Sequence, residues 1–309
     1  MKTTRLVLFY FLLTGIILVS NACLNPPNTS NALPASNNTN ASNTALNYSA
    51  KRRNIKICTF NIQNLGLKKL NKPEVIKELV SIIRKYDVVA VQEISDVHNT
   101  VGMRFLEIIN QGQATEYNMV LSERSGQQPD DKNDQEQYAF YYNTTTIKDL
   151  GQSRLYNDSL HDYFEREPFL AHFKVMQGNF SFVLCTVHTK PEAAVEEIKS
   201  LDETVKWAKN IYNNEDDYIV LGDFNASCSY AKPAQLDALE IRKNYQWLIA
   251  DTVKTNLSSK QCAYDRIVIT QTTKSDYTGN WGVDRCFISK SISDHWPVWA
   301  EFYANKDAH

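Results

Sequence analysis

The chain has 309 residues, 43% of them hydrophobic and 22% charged, with 33 basic against 35 acidic side chains. Those proportions exclude a wholly disordered chain, a collagen-like repeat and a multi-span membrane protein. Six cysteines are too few for a disulfide scaffold, and a net charge of −2 gives no bulk basic surface for drawing in nucleic acid.

Residues 1–22 read as an export signal. Lys2 and Arg5 lead, Leu6–Val19 is almost wholly apolar, and Ser20-Asn21-Ala22-Cys23 follows. The apolar run falls short of the roughly 20 residues that a membrane span needs. Two cleavage readings stay open. Ser20 and Ala22 suit a cut after Ala22 and plain secretion, whereas Cys23 directly after that site resembles a bacterial lipoprotein signal in which the cysteine is lipidated. Either way the mature protein is expected outside the cytoplasm, with an outer-membrane or cell-surface lipoprotein as the leading form. Loss of the signal removes Lys2 and Arg5, leaving 31 basic groups against 35 acidic ones. Residues 23–50 read as a disordered tether: Leu24–Ala50 has no charged side chain and is mostly Asn, Ser, Thr, Ala and Pro, which cannot bury enough apolar surface to offset chain entropy.

Residues 51–309 then make a single domain. Asn54–Phe60 alternates like a half-buried strand, with a polar turn expected at Asn61–Gly66. Pro73 opens a helix in which Val75, Ile76, Leu79, Val80 and Ile83 recur at helical spacing. Asp87–Val91 reads as a buried strand and Val101–Asn110 as a helix. Strands follow at Tyr117–Leu121 and Gln137–Tyr142, separated by a long acidic loop over Ser125–Gln135. Phe169–Val175 and Phe180–His188 are strands, Ala193–Ile211 a long helix, and Tyr218–Leu221, Arg266–Thr270 and Val298–Phe302 further strands. Because strands outnumber helices without strict alternation, the pattern predicts an α/β fold of sheets packed face to face with helices outside. No GxGxxG, GxxxxGK[ST], CxxC or HExxH pattern occurs, so dinucleotide, P-loop and the commonest zinc sites are absent.

The chemical signal is a repeated ending: an apolar strand that stops at an amide, acid or histidine. It occurs at Phe60-Asn61, Val91-Gln92-Glu93, Val187-His188, Leu221-Gly222-Asp223-Phe224-Asn225 and Ile292-Ser293-Asp294-His295. A single Asp or Asn after a strand is ordinarily a turn residue. The combination carries the argument, since strand ends at one sheet edge are rigid places to gather distant side chains. Oxygen ligands without thiolates suit a hard cation such as Mg²⁺, for which Mn²⁺ can substitute. His98, His161, His172 and His309 carry no motif; His188 and His295 do.

These endings, with Gly222-Asp223-Phe224-Asn225-Ala226, Cys262-Ala263-Tyr264-Asp265-Arg266-Ile267-Val268 and Ser293-Asp294-His295, resemble the deoxyribonuclease I family within the endonuclease/exonuclease/phosphatase superfamily. The resemblance runs from about Ile55 to Phe302. It implies a four-layered sandwich of two packed mixed β-sheets flanked by helices. It further implies metal-dependent endonucleolytic hydrolysis of DNA with low sequence specificity, leaving 5′-phosphate and 3′-hydroxyl ends, by a monomeric enzyme. Carried over by position, Asn61, Glu93 and Asp294 are the metal ligands. Asp223 and Asn225 orient the scissile phosphate and its attacking water. Asp265 pairs with His295, Glu136 pairs with His188, and Arg166 contacts phosphate. Cys228 and Cys262 form the structural disulfide, while Cys58 and Cys185 are buried thiols. A calcium site around Asp158, Asp162 and Glu167 is a further implication.

The chain departs from the family pattern at two substrate-facing positions. Ser95 stands where a groove-reaching arginine is expected, and Asp134 where a sugar-stacking tyrosine is expected. Duplex DNA, single strands and RNA therefore all remain open as substrates. Two other readings compete: a phosphodiesterase of the same superfamily acting on phospholipid headgroups, and a catalytically inactive surface-binding lipoprotein. The first predicts exposed apolar or cationic substrate loops. The second predicts loss of at least one catalytic group, whereas every position named is filled.

Overall fold

The computed structural model describes residues 54–126 and 135–307. The export signal, Cys23, the tether and Asp134 lie outside the described residues. The first half runs β1 (Asn54–Leu65), α1 (Leu67–Leu70), α2 (Pro73–Ile83), β2 (Val88–Ile94), α3 (Val101–Asn110), β3 (Tyr117–Leu121) and β4 (Gln137–Asn143). The second runs β5 (Ile147–Asp149), β6 (Arg154–Leu155), β7 (Phe169–Val175), β8 (Ser181–His188), α4 (Ala194–Ile211), β9 (Tyr218–Asp223), α5 (Pro233–Asp237), α6 (Glu240–Asn244), β10 (Gln246–Trp247), β11 (Asp265–Ile269), β12 (Tyr277–Val283) and β13 (Val298–Tyr303).

One sheet has the order β12-β13-β1-β2-β4-β3; the other has β10-β11-β9-β8-β7-β5, with β6 also paired to β7. Both are mixed: β1 and β2 run parallel, as do β8 and β9, among otherwise antiparallel neighbours. Strand periodicity divides the apolar residues between two faces. Ile57, Ala90, Phe140, Leu184, Leu221 and Ile267 meet in the core between the sheets. Their strand neighbours Cys58, Val89, Val91 and Tyr141 face α2 and α3, and Cys185, Val187 and Val220 face the long helix α4. Four layers result, helix–sheet–sheet–helix, as the resemblance implied.

Central strands such as Val88-Val89-Ala90-Val91 are apolar without alternation because both their faces are covered. The aromatic residues carry much of the inner core. Phe140 stacks on Phe169 and meets Phe173 edge-on, with ring centroids 5.5 and 5.7 Å away. Truncating so enclosed a ring costs about 3–5 kcal/mol.

The expected elements recur within a residue or two at most ends, with one instructive difference. The turn expected at Asn61–Gly66 is instead a continuation of β1, whose pairing with β2 slips between Asn61 and Leu65. Gln63 and Asn64 supply the slip by taking left-handed backbone conformations, φ 53° and 55°. Among the described residues no helix is long and apolar enough to cross a membrane.

Candidate active site

The site extends the inner-core rows by one polar step. On β1, β2, β8, β9 and β11 the inward positions are apolar until near the end, where Thr59, Gln92 and Thr186 form a buried polar row. Gln92 Nε2 donates to Thr59 Oγ1 at 3.0 Å and to Thr186 Oγ1 at 2.8 Å, joining the two sheets. Two residues further along the same faces stand Asn61, His188 and Asp223. In register, His188 sits beside Asp223, and Asp223 beside Asp265.

Gly222 makes that neighbourhood possible. Its φ is +151°, and a Cβ there would lie 1.9 Å from the Val187 carbonyl oxygen. Only glycine lets β8 and β9 approach so closely one residue before the paired His188 and Asp223. Glu93 would point to the helix side by simple alternation. Its left-handed φ of 64° turns the chain so that its carboxylate joins the inner-face residues.

Asp223 is the hub. Its Oδ2 accepts from Asn61 Nδ2 at 3.1 Å and lies 3.8 Å from His188 Nε2 and 3.5 Å from His295 Nε2. Each imidazole has a second carboxylate behind it, His188 Nδ1 at 2.9 Å from Glu136 and His295 Nδ1 at 2.9 Å from Asp265. Asn61 Nδ2 also donates to Glu93 Oε1 at 2.7 Å. Asn225 does not join this contact; its side chain donates to the Thr189 carbonyl, while its backbone N–H donates to Asp223 Oδ1, both at 3.0 Å. Arg166 braces one couple, with Nε 3.7 Å from Glu136 and donating to the His188 carbonyl at 3.2 Å.

Burial alone would lower both histidine pKa values, but the facing carboxylates outweigh it. Asp265 and Asp223 raise His295 to about 10, and Glu136, opposed by Arg166, raises His188. Burial works against ionised Glu136 and Asp223 too, yet the adjacent imidazoles hold both carboxyls below the usual range. Asp265, wholly enclosed, is pushed upward by burial despite His295. Two buried imidazole–carboxylate couples thus face one shared carboxylate.

Two donor sets could hold a cation. Asp223, Asp265 and His295 each bring a ligand atom within 4.8 Å of the others. At one, His295 Nδ1 is engaged with Asp265 at 2.9 Å, and Nε2 lies 3.5 Å from Asp223. At the other, half-buried Glu93 accepts from Asn61 Nδ2 at 2.7 Å, the Asn61 amide oxygen accepts from Gln63 N at 2.9 Å, and half-buried Asp294 directly precedes His295 in sequence. The field of Asp294 reaches both His295 and Lys69. By donor chemistry, the oxygens of Asn61, Glu93 and Asp294 are hard ligands of the kind that suit a hard divalent cation.

The expected calcium residues are not gathered into a comparable set. Asp158 caps a turn by accepting from Tyr163 N and Phe164 N, and Glu167 pairs with Ser125. Among the described residues the only three-residue set of acid, histidine or thiol ligands is the one at His295. Cys228 and Cys262 are joined in a disulfide, with Cα atoms 5.6 Å apart, and Cys58 and Cys185 are buried thiols.

Several residues that support the site carried no strand-end signal. Tyr138 accepts the His188 N–H at 3.0 Å through its hydroxyl. Glu197 on α4 accepts from Glu165 N and Lys190 N, each 3.2 Å away, and so holds the segments bearing Arg166 and His188. Buried Arg266 spans the Ile249 and Ala226 carbonyls at 2.7 and 2.9 Å, fixing the turn after Asp223. Beside Glu93 opens a cleft of about 670 Å³ lined by Asn64, Lys68, Lys72, Ser95 and Lys290.

Two inward-facing imidazole–carboxylate couples stand at the end of a four-layered sandwich. Residues 58–295 match the model of the Endonuclease/Exonuclease/phosphatase family, and the chain belongs to that family. Within it the chain is deoxyribonuclease-I-like. It is 31% identical over 262 residues to Deoxyribonuclease-1 of Equus caballus, covering 79% of this chain and 90% of that protein. Deoxyribonuclease-1 of Bos taurus is 31% identical over 267 residues, again with 79% of this chain and 90% of that protein covered. In fold alone the chain is similar to the mannosyl-6-phosphatase of Bacteroides thetaiotaomicron, with TM-score 0.52, 15% identity, and 80% and 99% of the two chains covered. Family membership makes the chain a hydrolase of the nuclease and phosphodiesterase class.

Proposed function

We propose that the protein is an exported, divalent-metal-dependent endodeoxyribonuclease of low sequence specificity. The observation that supports it best is Asp223 standing between His188 and His295, each backed by its own carboxylate. Hydrolysis of a phosphodiester needs a proton taken from water and one given to the departing oxygen. Two imidazoles on either side of one carboxylate suit that pair of transfers.

In this reading His188 receives the water proton, with Glu136 fixing its tautomer and Asp223 orienting the water. His295, held protonated by the facing carboxylates of Asp265 and Asp223, holds the proton that passes to the leaving 3′ oxygen. Asn225 shapes the turn beside the phosphate, and Arg166, when phosphate enters, offers its guanidinium edge to a non-bridging oxygen. Asn61, Glu93 and Asp294 would hold a hard divalent cation, which would supply Lewis-acid stabilisation of the phosphate charge. We assign Mg²⁺ to that place. Lys68, Lys72 and Lys290 along the cleft suit a polynucleotide backbone, and Ser95 leaves that cleft without a groove-reaching arginine. The Cys228–Cys262 disulfide favours an oxidising compartment. We extend the reading to a lipid anchor on Cys23 that places the domain at the cell surface.

Plasmid nicking tests the proposal. The parent with Mg²⁺ is expected to relax supercoiled DNA, and EDTA or His295→Ala to abolish it; intact plasmid in all three reactions ends the nuclease reading. Parallel reactions on single-stranded DNA, RNA and sphingomyelin rank the substrates.

A further inference from the structure

Lys69 is a buried cation, 8% exposed, that the chemistry above does not use. A lysine ammonium has three N–H donors and no acceptor. All three are engaged by main-chain carbonyls: Ile62 at 2.7 Å, Gln63 at 2.5 Å and Ile292 at 3.0 Å. The first two follow Asn61 directly, and the third precedes Ser293-Asp294-His295. Ile292 lies 223 positions from Lys69 in sequence, so two distant segments are fastened at one ammonium.

The carbonyls at Ile62 and Gln63 belong to the strained part of β1. Gln63 and Asn64 both hold left-handed conformations, which cost about 1–2 kcal/mol apiece for residues with a Cβ. That strain has a use. It aims Gln63 N at Asn61 Oδ1 and Asn64 N at Glu93 Oε2, each at 2.9 Å. A second fastening runs in parallel: Ser293 Oγ donates to the Asn61 carbonyl at 2.7 Å and accepts from His295 N at 3.0 Å.

We propose that Lys69 is a positioning residue, clamping the end of β1 to the loop before His295 so that Asn61, Glu93 and Asp294 share one geometry. The clamp stands on contacts alone; its consequence for a cation rests on the reading above. Electrostatics and positioning predict opposite signs here. The ammonium lies in the field of Glu93 and Asp294 and repels any cation bound there, so removing its charge without other change would tighten binding. Removing a clamp weakens it, as outer-shell substitutions do by about 10- to 100-fold.

The test uses Lys69→Met and Lys69→Arg beside the parent. Free Mn²⁺ is followed by electron paramagnetic resonance without substrate, and amide exchange at Gln63, Asn64 and His295 is compared with Val89 in β2. Lys69→Met is expected to bind Mn²⁺ about 10- to 100-fold more weakly, with faster exchange at those three amides, no change at Val89, and partial recovery in Lys69→Arg. Mn²⁺ binding that holds or tightens overturns the proposal. So does unchanged exchange at the three amides, or global unfolding of both variants. A parent that binds no Mn²⁺ defeats the cation assignment while leaving the exchange arm to decide on Lys69.

Discussion

Replacing Asp265 by Asn separates proton donation from mere binding. The carboxylate lies 2.9 Å from His295 Nδ1 in a wholly buried position. Taking the charge centres as about 4 Å apart and an effective dielectric of about 20, the pair is worth about 4 kcal/mol, or about three pKa units. His295, held at about 10 in the parent, should fall to about 7 in the variant. A protonated donor then becomes scarce in alkali: at pH 9 its population drops about 100-fold, while at pH 6 it changes little. The assay is the initial rate of plasmid nicking with Mg²⁺ across that range for both proteins. The basic limb of the profile should move down by about three units, with the acidic limb in place. A basic limb that stays put, or an acidic limb that moves instead, refutes the assignment of His295 as the proton donor.

Three further outcomes follow from other parts of the structure. His188→Ala should lower the nicking rate by about 10²- to 10⁴-fold while leaving the thermal transition of the metal-free protein within a few degrees; a smaller loss removes His188 from proton transfer. Changing Cys228 and Cys262 together to Ser opens a bridge of 34 residues' separation and should cost about 4 kcal/mol in urea unfolding, with no change once the parent is reduced. In the metal-free protein, His295 is raised from 6.5 to about 10, so the folded state keeps a proton that the unfolded chain has released. That contribution is complete below pH 6.5 and is lost as the pH rises towards about 10. Unfolding free energy should therefore fall over this window by at most about 1.4 kcal/mol per pH unit, and His295→Asn should flatten the slope.

The strand-end residues were legible because two periodicities coincide there. An apolar alternation such as Ile55, Ile57 names the inward face, and continuing it by twos reaches Thr59 and then Asn61. The same count takes Phe182 to His188 and Ile219 to Asp223. Residues that support the site from outside those rows gave no such signal. Lys69 stands in Leu67-Lys68-Lys69-Leu70, where nothing distinguishes it from its solvated neighbour; only the left-handed backbone at Gln63 and Asn64 brings the Ile62 and Gln63 carbonyls to it. Glu197 looks like any acid in the first turns of a charged helix. The strand β12, Tyr277-Thr278-Gly279-Asn280-Trp281-Gly282-Val283, was missed because an edge strand with two glycines has no apolar alternation. The side chain of Asn225, the residue expected at the phosphate, donates to the Thr189 carbonyl, a contact that no periodicity foretells.

The geometry of the site is a consequence of register. His188, Asp223 and Asp265 share one row across β8, β9 and β11 and all face inward because Leu184, Leu221 and Ile267 do. A slip of one residue in any of these pairings would turn one of these polar side chains towards the helices and an apolar one into the polar pocket. The inner core resists such a slip strongly, since it would expose rings and branched side chains along the whole strand. Stability and function are therefore coupled through the same alternation: the burial that holds the sheets together also fixes which atoms meet at their end. Glu93 is the exception that supports the rule. Reaching the inner face from an outward position required a left-handed residue and a register break, and the amide of Asn64 beside that break holds its carboxylate in place.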